Sequence, residues 1–302
     1  MNVVYYKYFV HKGKSRYQFN LLPILKNFCK VKSETFRRTF HSPGGDNLFL
    51  FHINSCTFLF VITKDQEVIK TISGNTMSHD DIYDKLGKDE SLGFASYIFV
   101  GNNYYGIAST FFGPKNSYWT HFLNILFEKL NIDTHIFDSE PFPVETTKKE
   151  ALKFSFKGQT TIRMNNTHPY FGRLLGQFGI DNNEAKTLNI EIKPEPRKEM
   201  AKSFDAITTD IPLDGIDTFV VRGKEFIEDN MTDYYIVGSG HICDKITADK
   251  DGNVCKSLEE KATRNRKLRE AVNEFKEDKS YSNNDLQGLS TYNNFDNWPD
   301  NL

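Results

Sequence analysis

Residues 89–122 read DESLGFASYIFV (89–100), GNN (101–103), YYGIASTFFGP (104–114) and KNSYWTHF (115–122). Two runs rich in β-branched and aromatic residues flank a Gly/Asn cluster, the pattern of a hairpin whose turn must visit positive φ. Gly113-Pro114 ends the second strand, and Asn116 or Ser117 is placed to cap a helix. Trp119, Phe122, Leu123, Leu126, Phe127 and Leu130 then recur at helical spacing, giving that helix an apolar face. A strand–turn–strand–helix unit, without the βα alternation of a parallel fold, sets the class as α+β with mixed antiparallel strands and helices.

Working outward, Val3–Val10 reads as a strand, residues 11–17 as a basic loop, and residues 21–29 as a helix with Asn20 at its cap and Pro23 in its first turn. Leu48–Ile53 and Thr57–Thr63 form a hairpin, with a third strand over Val68–Ile72. Ser78-His-Asp-Asp81 has the form of a capping box opening a helix to Leu86. Beyond the loop at Pro141 and Pro143, strands are expected at 151–156, 160–164 and 188–193, with a helix from Pro169 between the last two. Residues 197–217 are polar and poorly patterned, the place for a hinge, and short strands follow at 219–221, 233–237 and 241–246. Ser257-Leu-Glu-Glu260 opens an amphipathic helix carrying Leu258, Ala262, Leu268, Val272 and Phe275. From Ser280 the composition turns to Asn, Asp, Ser and Tyr, as in a disordered tail. The expected organisation is a main globular α+β region (1–196), a hinge and smaller strand-rich segment (197–246), a C-terminal amphipathic helix (247–279) and the tail (280–302).

The 302 residues suffice for one large or two modest domains. Charged residues nearly cancel, at 38 Lys and Arg against 40 Asp and Glu, so any nucleic-acid surface must come from segregated charge. Four scattered cysteines, none in a C-x-x-C pair, read as reduced thiols. Lys7, Lys12, Lys14 and Arg16 interrupt any apolar start, and no run approaches the ~20 apolar residues of a membrane span, so a cytoplasmic protein is expected.

Segregated charge is present. Residues 1–45 hold nine Lys and Arg against one Glu. Lys12, Lys14 and Arg16 sit together between elements, where flexible cations reach phosphates without base-specific geometry; a solvated basic surface is the other reading. Arg222 and Lys224 alternate along a strand and share one side of it, again either a nucleic-acid contact or surface charge. Arg264, Arg266, Lys267 and Arg269 interleave with Glu259, Glu260 and Glu270, the pattern of i to i+4 pairs on a helix surface.

Catalytic and metal signatures are weak. Gly13-Lys14-Ser15 imitates the end of a P-loop, but Tyr8 stands where the earlier glycine is required. His241, Cys243 and Cys255 lack the paired spacing of a zinc site. Asp249–Asn253 with Glu260 resembles a calcium loop, yet Val254 occupies its glycine position and Lys256 its apolar one, so a turn at Asp251-Gly252 is expected. The sharpest enzymatic alternative is a Mg²⁺-dependent nuclease centred on Glu191 and Lys193, with Asp181 as second carboxylate. No catalytic residue, metal ligand or cofactor is assigned.

The wording of residues 89–122 resembles one family, the RexA-like phage-exclusion proteins. So do Phe156–Arg163 (FKGQTTIR, its F-x-G-x-T-T), Pro169–Gly179 (PYFGRLLGQFG, its P-x-F-G-x-x-L) and Leu188–Pro194 (LNIEIKP, its L-x-I-x-I-K-P). A fainter match runs through Val221–Lys224 to Gly240-His241. The resemblance implies a prophage-encoded, non-enzymatic sensor acting as a homodimer on double-stranded DNA with little sequence preference. It also implies a hinged smaller segment, signalling to a membrane protein of the RexB type, and activation by DNA or by phage protein–DNA complexes. It makes Arg222 and Lys224 the DNA-contacting Arg-x-Lys pair, and Asp217, one residue off the family spacing, a hinge residue. A protein-only adaptor that never touches DNA is the third reading.

Overall fold

The computed structural model describes residues 1–302 except 38, 64–69, 74–77, 82–92, 133–134, 182, 196–197, 230, 248–250, 283–286 and 299–302. Two compact units emerge. The first holds Met1–Pro141, Asp244–Arg264 and Arg269–Leu302; the second holds Phe142–Cys243 and Asn265–Leu268. The chain therefore divides after Pro141, inside the stretch expected as one region to residue 196.

The first unit opens with β1 (Asn2–Lys12), β2 (Ser15–Tyr17), α1 (Leu22–Lys30), α2 (Glu34–Arg37), β3 (Leu48–His52) and β4 (Thr57–Thr63). After β5 (Lys70–Ser73) and β6 (Ser78–Asp81) come β7 (Gly93–Val100), β8 (Tyr104–Ser109), α3 (Asn116–Lys129) and β9 (Ile136–Pro141). The β7–β8 hairpin is formed as expected, its turn closed by Asn103 at φ 66°; residues 89–92 lie outside the described residues. Asn116 does not cap α3, because its side-chain oxygen accepts instead from the Tyr105 hydroxyl at 2.6 Å.

β1 organises the main sheet. Its residues pair with β8 along one edge and with β9 along the other, Tyr6 facing Tyr105 and Pro141. The basic stretch 11–17 is the tip of a β1–β2 hairpin and not a free loop. Along the sheet β8, β7, β4 and β3 follow, all antiparallel. Ser78–Asp81 is the strand β6, paired with β5, where a hairpin partner and not a helix takes its backbone groups; residues 82–86 of the expected helix lie outside the described residues. Tyr8, Phe60, Tyr105, Trp119, Phe122 and Phe137 form an aromatic core between the sheet and the apolar faces of α1 and α3.

The second unit contains α4 (Lys148–Ala151), β10 (Phe156–Asn165), α5 (Phe171–Gln177), β11 (Thr187–Ile192), α6 (Ala201–Asp210), β12 (Ile216–Lys224) and β13 (Thr232–Val237). Its sheet is antiparallel in the order β11-β10-β12-β13. The first strand expected here, at 151–156, is not formed: a capping box of Thr147 and Glu150 starts α4, which ends at Ala151, and an irregular stretch leads into β10 at Phe156. α6 lies in the stretch read as unpatterned, its Phe204 and Thr208 fully buried.

β14 (Cys243–Lys245) pairs with β1, and α7 (Asp251–Arg264) and α8 (Arg266–Glu277) follow, then β15 (Tyr281–Ser282) and α9 (Gln287–Thr291). Asp251-Gly252 is helical rather than a turn, so α7 starts six residues before Ser257, whose capping box lies unused inside the helix; Asp249 is outside the described residues. The helix is broken at Asn265, whose side chain accepts from Leu268 N at 3.0 Å and caps α8. The described part of the polar tail is packed: Leu289 and Trp298 join the aromatic core. Asn27 of α1 donates to the carbonyls of Tyr292 and Asn293 at 3.1 and 2.9 Å. Among the described residues no helix is long and apolar enough to cross a membrane.

Candidate nucleic-acid interface

The four-stranded sheet of the second unit turns one face to α4, α5 and α6 and leaves the other open. Ile162, Met164, Phe219, Val221 and Tyr234 point inward and are buried with Phe154, Phe171, Leu175 and Phe204. Lys157 also points inward; its ammonium is paired with Asp205 of α6 and lies 5.7 Å from the Phe204 ring centroid. The opposite set, Gln159, Thr161 and Arg163 on β10 with Asp217, Val220, Arg222 and Lys224 on β12, faces outward.

The Arg222-Gly223-Lys224 triplet shows why its middle residue is glycine. A Cβ at Gly223 would meet Phe154 Cδ2 and the Phe156 carbonyl at 2.7 Å each, so the backbone sits directly on the core. The two flanking cations thereby leave from the other side, as their alternation required. Arg222 faces Asp233 of β13 at 3.6 Å, with about half of each side chain exposed. Lys224 donates to the Ile227 carbonyl at 3.1 Å. Asp217 accepts from Asn165 at 2.7 Å and lies 3.8 Å from Arg163. Arg163 was quoted in the sequence but assigned no role; the period-2 pattern of β10 was the signal that puts it on the face of Arg222.

Glu191 lies 2.8 Å from Lys193 and also accepts from Gln159. Asp181 accepts from Asn183 N at 3.0 Å, as in a local Asx turn. No group of three or more His, Cys, Asp and Glu side chains capable of holding a metal occurs among the described residues.

In the first unit the β1–β2 hairpin brings Lys12, Lys14 and Arg16 together on one projecting tip. Gly13 takes φ +60° at the turn with nothing within 4 Å of its Cβ position, so the tip is open space. Arg16 is anchored, with its guanidinium 3.3 Å from the Tyr281 hydroxyl, 5.1 Å from the Phe9 ring and 3.9 Å from Glu140. Lys12 and Lys14 are exposed and make no ion pair among the described residues. The His135 side chain is held below its ordinary pKa by partial burial and by the Lys12 charge.

Of the third basic cluster, Arg266 and Lys267 reach the acids of the β12–β13 loop. Arg266 bonds Glu225 and lies 3.2 Å from Asp229, its guanidinium stacked 4.5 Å from Phe226, while Lys267 pairs with Glu225. Burial works against ionisation of Asp229, but bonds from Arg266 and the Phe226 N–H, with the Arg266 and Lys267 charges, together outweigh it and hold its pKa down. These cations are consumed in a local network beside the β12–β13 loop.

A family model described as "RexA: Intracellular sensor of Lambda phage, Abi component" matches residues 1–231. The chain is 30% identical over 235 residues to "Protein rexA" of Escherichia phage lambda and, equally, to that of Enterobacteria phage 434. Each alignment spans 77% of this chain and 81% of the relative.

Proposed function

The chain belongs to the RexA family of phage-exclusion proteins, and on that premise we propose that it is a sequence-independent sensor of double-stranded DNA. It works in the cytoplasm of a bacterial host as a homodimer, without catalysis. DNA, or a phage protein–DNA complex, favours one arrangement of the dimer, and that arrangement activates a membrane partner of the RexB type. A ligand shifts such an equilibrium only by its differential affinity for the two states. The observation that carries the reading is the outward pair Arg222 and Lys224 on β12, forced to one side by Gly223 at the family's Arg-x-Lys position. Lys12, Lys14 and Arg16 on the hairpin tip supply further phosphate contacts.

The hinge is assigned to residues 197–217, ending at Asp217. Its bonds to Asn165 and Arg163 are exposed and cheap to exchange, as a moving strand end requires.

The test is a titration of duplexes of unrelated sequence by fluorescence anisotropy between 50 and 200 mM salt. Similar affinities that fall on the order of a thousandfold support the reading, as expected for about six neutralised phosphates. Salt-independent or absent binding removes it. Cleavage of duplex DNA in Mg²⁺, abolished by Glu191→Ala, would replace it with the nuclease reading.

A further inference from the structure

The first unit contains a cleft of about 470 Å³ lined by Lys26, Cys29, Lys30, Arg37, Phe51 and His52. It shares no residue with the DNA-contacting set. We propose that this cleft binds a nucleotide, its phosphates on Lys26, Lys30 and Arg37 and its planar base against Phe51.

The cations come first. Lys26 and Lys30 stand four apart on α1, so they share one face of the helix and repel each other. Nothing on that helix relieves them, since its nine residues, LPILKNFCK, include no acid, and among the described residues no carboxylate lines the cleft. Among the described residues Lys30 is steadied by neutral groups, the Asn27 side-chain oxygen at 3.1 Å and the Phe295 ring at 5.7 Å.

Arg37 is held as a fixed fork. Its Nη2 donates to the Cys29 carbonyl at 2.7 Å and its guanidinium lies 6.0 Å from the Phe28 ring centroid. Its Nε is buried with no hydrogen-bond partner among the described residues. A phosphate oxygen is the acceptor a guanidinium matches best, in geometry and in charge. Burial pushes the Cys29 thiol up to about 11, so it stays neutral near pH 7 and no thiolate offsets the three cations.

The opposite wall is aromatic. Alternation along β3 puts Phe49 and Phe51 on one face, stacked with centroids 6.4 Å apart. Phe51 remains 44% exposed. A ring so supported loses little freedom when a base stacks on it, and stacking of this kind accepts any base. The cleft falls in the size range of small-molecule sites. Cations on one wall, an open ring on the other and, among the described residues, no carboxylate between them match a ligand that is anionic at one end and flat at the other.

Calorimetric titration of the full chain with ATP, tripolyphosphate and adenosine tests this. ATP is expected to bind, adenosine to bind at least about tenfold more weakly for want of charge–charge hydrogen bonds, and tripolyphosphate to fall between them. Lys26→Glu with Lys30→Glu should weaken ATP by about a hundredfold, on the order of tenfold for each charge-assisted bond lost. Phe51→Ser should weaken ATP about tenfold and leave tripolyphosphate unchanged. All three substitutions fall on exposed or half-buried positions, and duplex affinity should be unaffected by Phe51→Ser. The proposal is overturned if ATP fails to bind at millimolar concentration or binds the double-reversal variant as well as the parent. It is equally overturned if tripolyphosphate matches ATP and Phe51→Ser changes neither.

Discussion

Replacing Arg222 and Lys224 together with Ala should flatten the salt dependence of duplex binding by an amount that also counts the subunits involved. Each phosphate neutralised contributes about 0.9 to the log–log slope. Two lost contacts lower the slope by about 1.8, and a symmetric dimer engaging both copies lowers it by about 3.6. With about six phosphates in the parent complex, affinity falls about 1,800-fold between 50 and 200 mM salt. The variant should fall about 150-fold if one copy touches DNA and about 12-fold if two do. The structure sets a correction, because Arg222 is already opposite Asp233 at 3.6 Å. Exchanging that carboxylate for a phosphate leaves Asp233 to collect a cation, so the loss per Arg222 is at most the full value. Such an exposed pair is worth about 0–1 kcal/mol, so Asp233→Asn should strengthen binding by no more than about fivefold for each copy engaged. Fluorescence anisotropy at four salt concentrations measures all three slopes. A double variant with the parent's slope refutes the assignment of these residues to phosphate contact.

Other perturbations probe the scaffold. Lys157 is buried while its partner Asp205 is 46% exposed, so Asp205→Ala, which strands a buried ammonium, should cost more in urea unfolding than Lys157→Met, roughly 1–3 kcal/mol against under 1; equal costs would show that the ammonium is not held by Asp205. The folded His135 pKa is lowered, so the folded state binds fewer protons than the unfolded one, and stability should fall as pH drops through about 6.5 toward the folded value. His135→Gln should flatten that limb in melting curves taken from pH 8 to 5, and an unchanged limb would remove His135 as its source. Trp298→Ala should cost about 3–5 kcal/mol by denaturant unfolding, since the side chain lies in the aromatic core; a near-neutral result would mean that the tail does not dock.

Strands with a strong local signal were legible. The β7–β8 hairpin needed only its β-branched runs and an Asn able to take positive φ, and β11 and α5 needed only their period and Pro169. Elements whose stability comes from distant partners were not. β9 carries Asp138, Ser139, Glu140 and Pro141 and looks like a loop, yet six backbone pairings to β1 hold it. The tail is polar because many of its contacts are polar: Asn27 reaches back to its carbonyls, while its apolar weight comes from scattered residues, Tyr281, Leu289, Tyr292 and Trp298. Asn265 could have been read as a cap, but the apolar positions continue in phase across it and hide the break. Of the candidate interface, the side from which Arg222 and Lys224 leave was legible in their spacing. Their acidic counterpart Asp233 was not, because cross-strand register cannot be read from one strand.

The two sets of cations are held differently, and that difference orders their contributions. Lys12 and Lys14 stand on an open hairpin tip with no acid in ion-pairing reach among the described residues. Each therefore carries its own counterion environment into an encounter with DNA, and each should give up its full share of the salt slope when it meets a phosphate. Arg222 must first release Asp233, and Arg16 is committed to Tyr281 and Phe9 with Glu140 nearby. Per residue, Lys12→Ala and Lys14→Ala should thus reduce the slope by about 0.9 each, and Arg222→Ala and Arg16→Ala by less. His135 reports the same event independently. The Lys12 charge lowers its pKa, so a phosphate that neutralises Lys12 must raise it, and a shift of the His135 imidazole signal on adding duplex DNA, absent in Lys12→Ala, places the backbone at this hairpin. A His135 titration indifferent to DNA, together with a slope unchanged by both lysine substitutions, would leave the hairpin a solvated basic surface and return the whole electrostatic burden to β12.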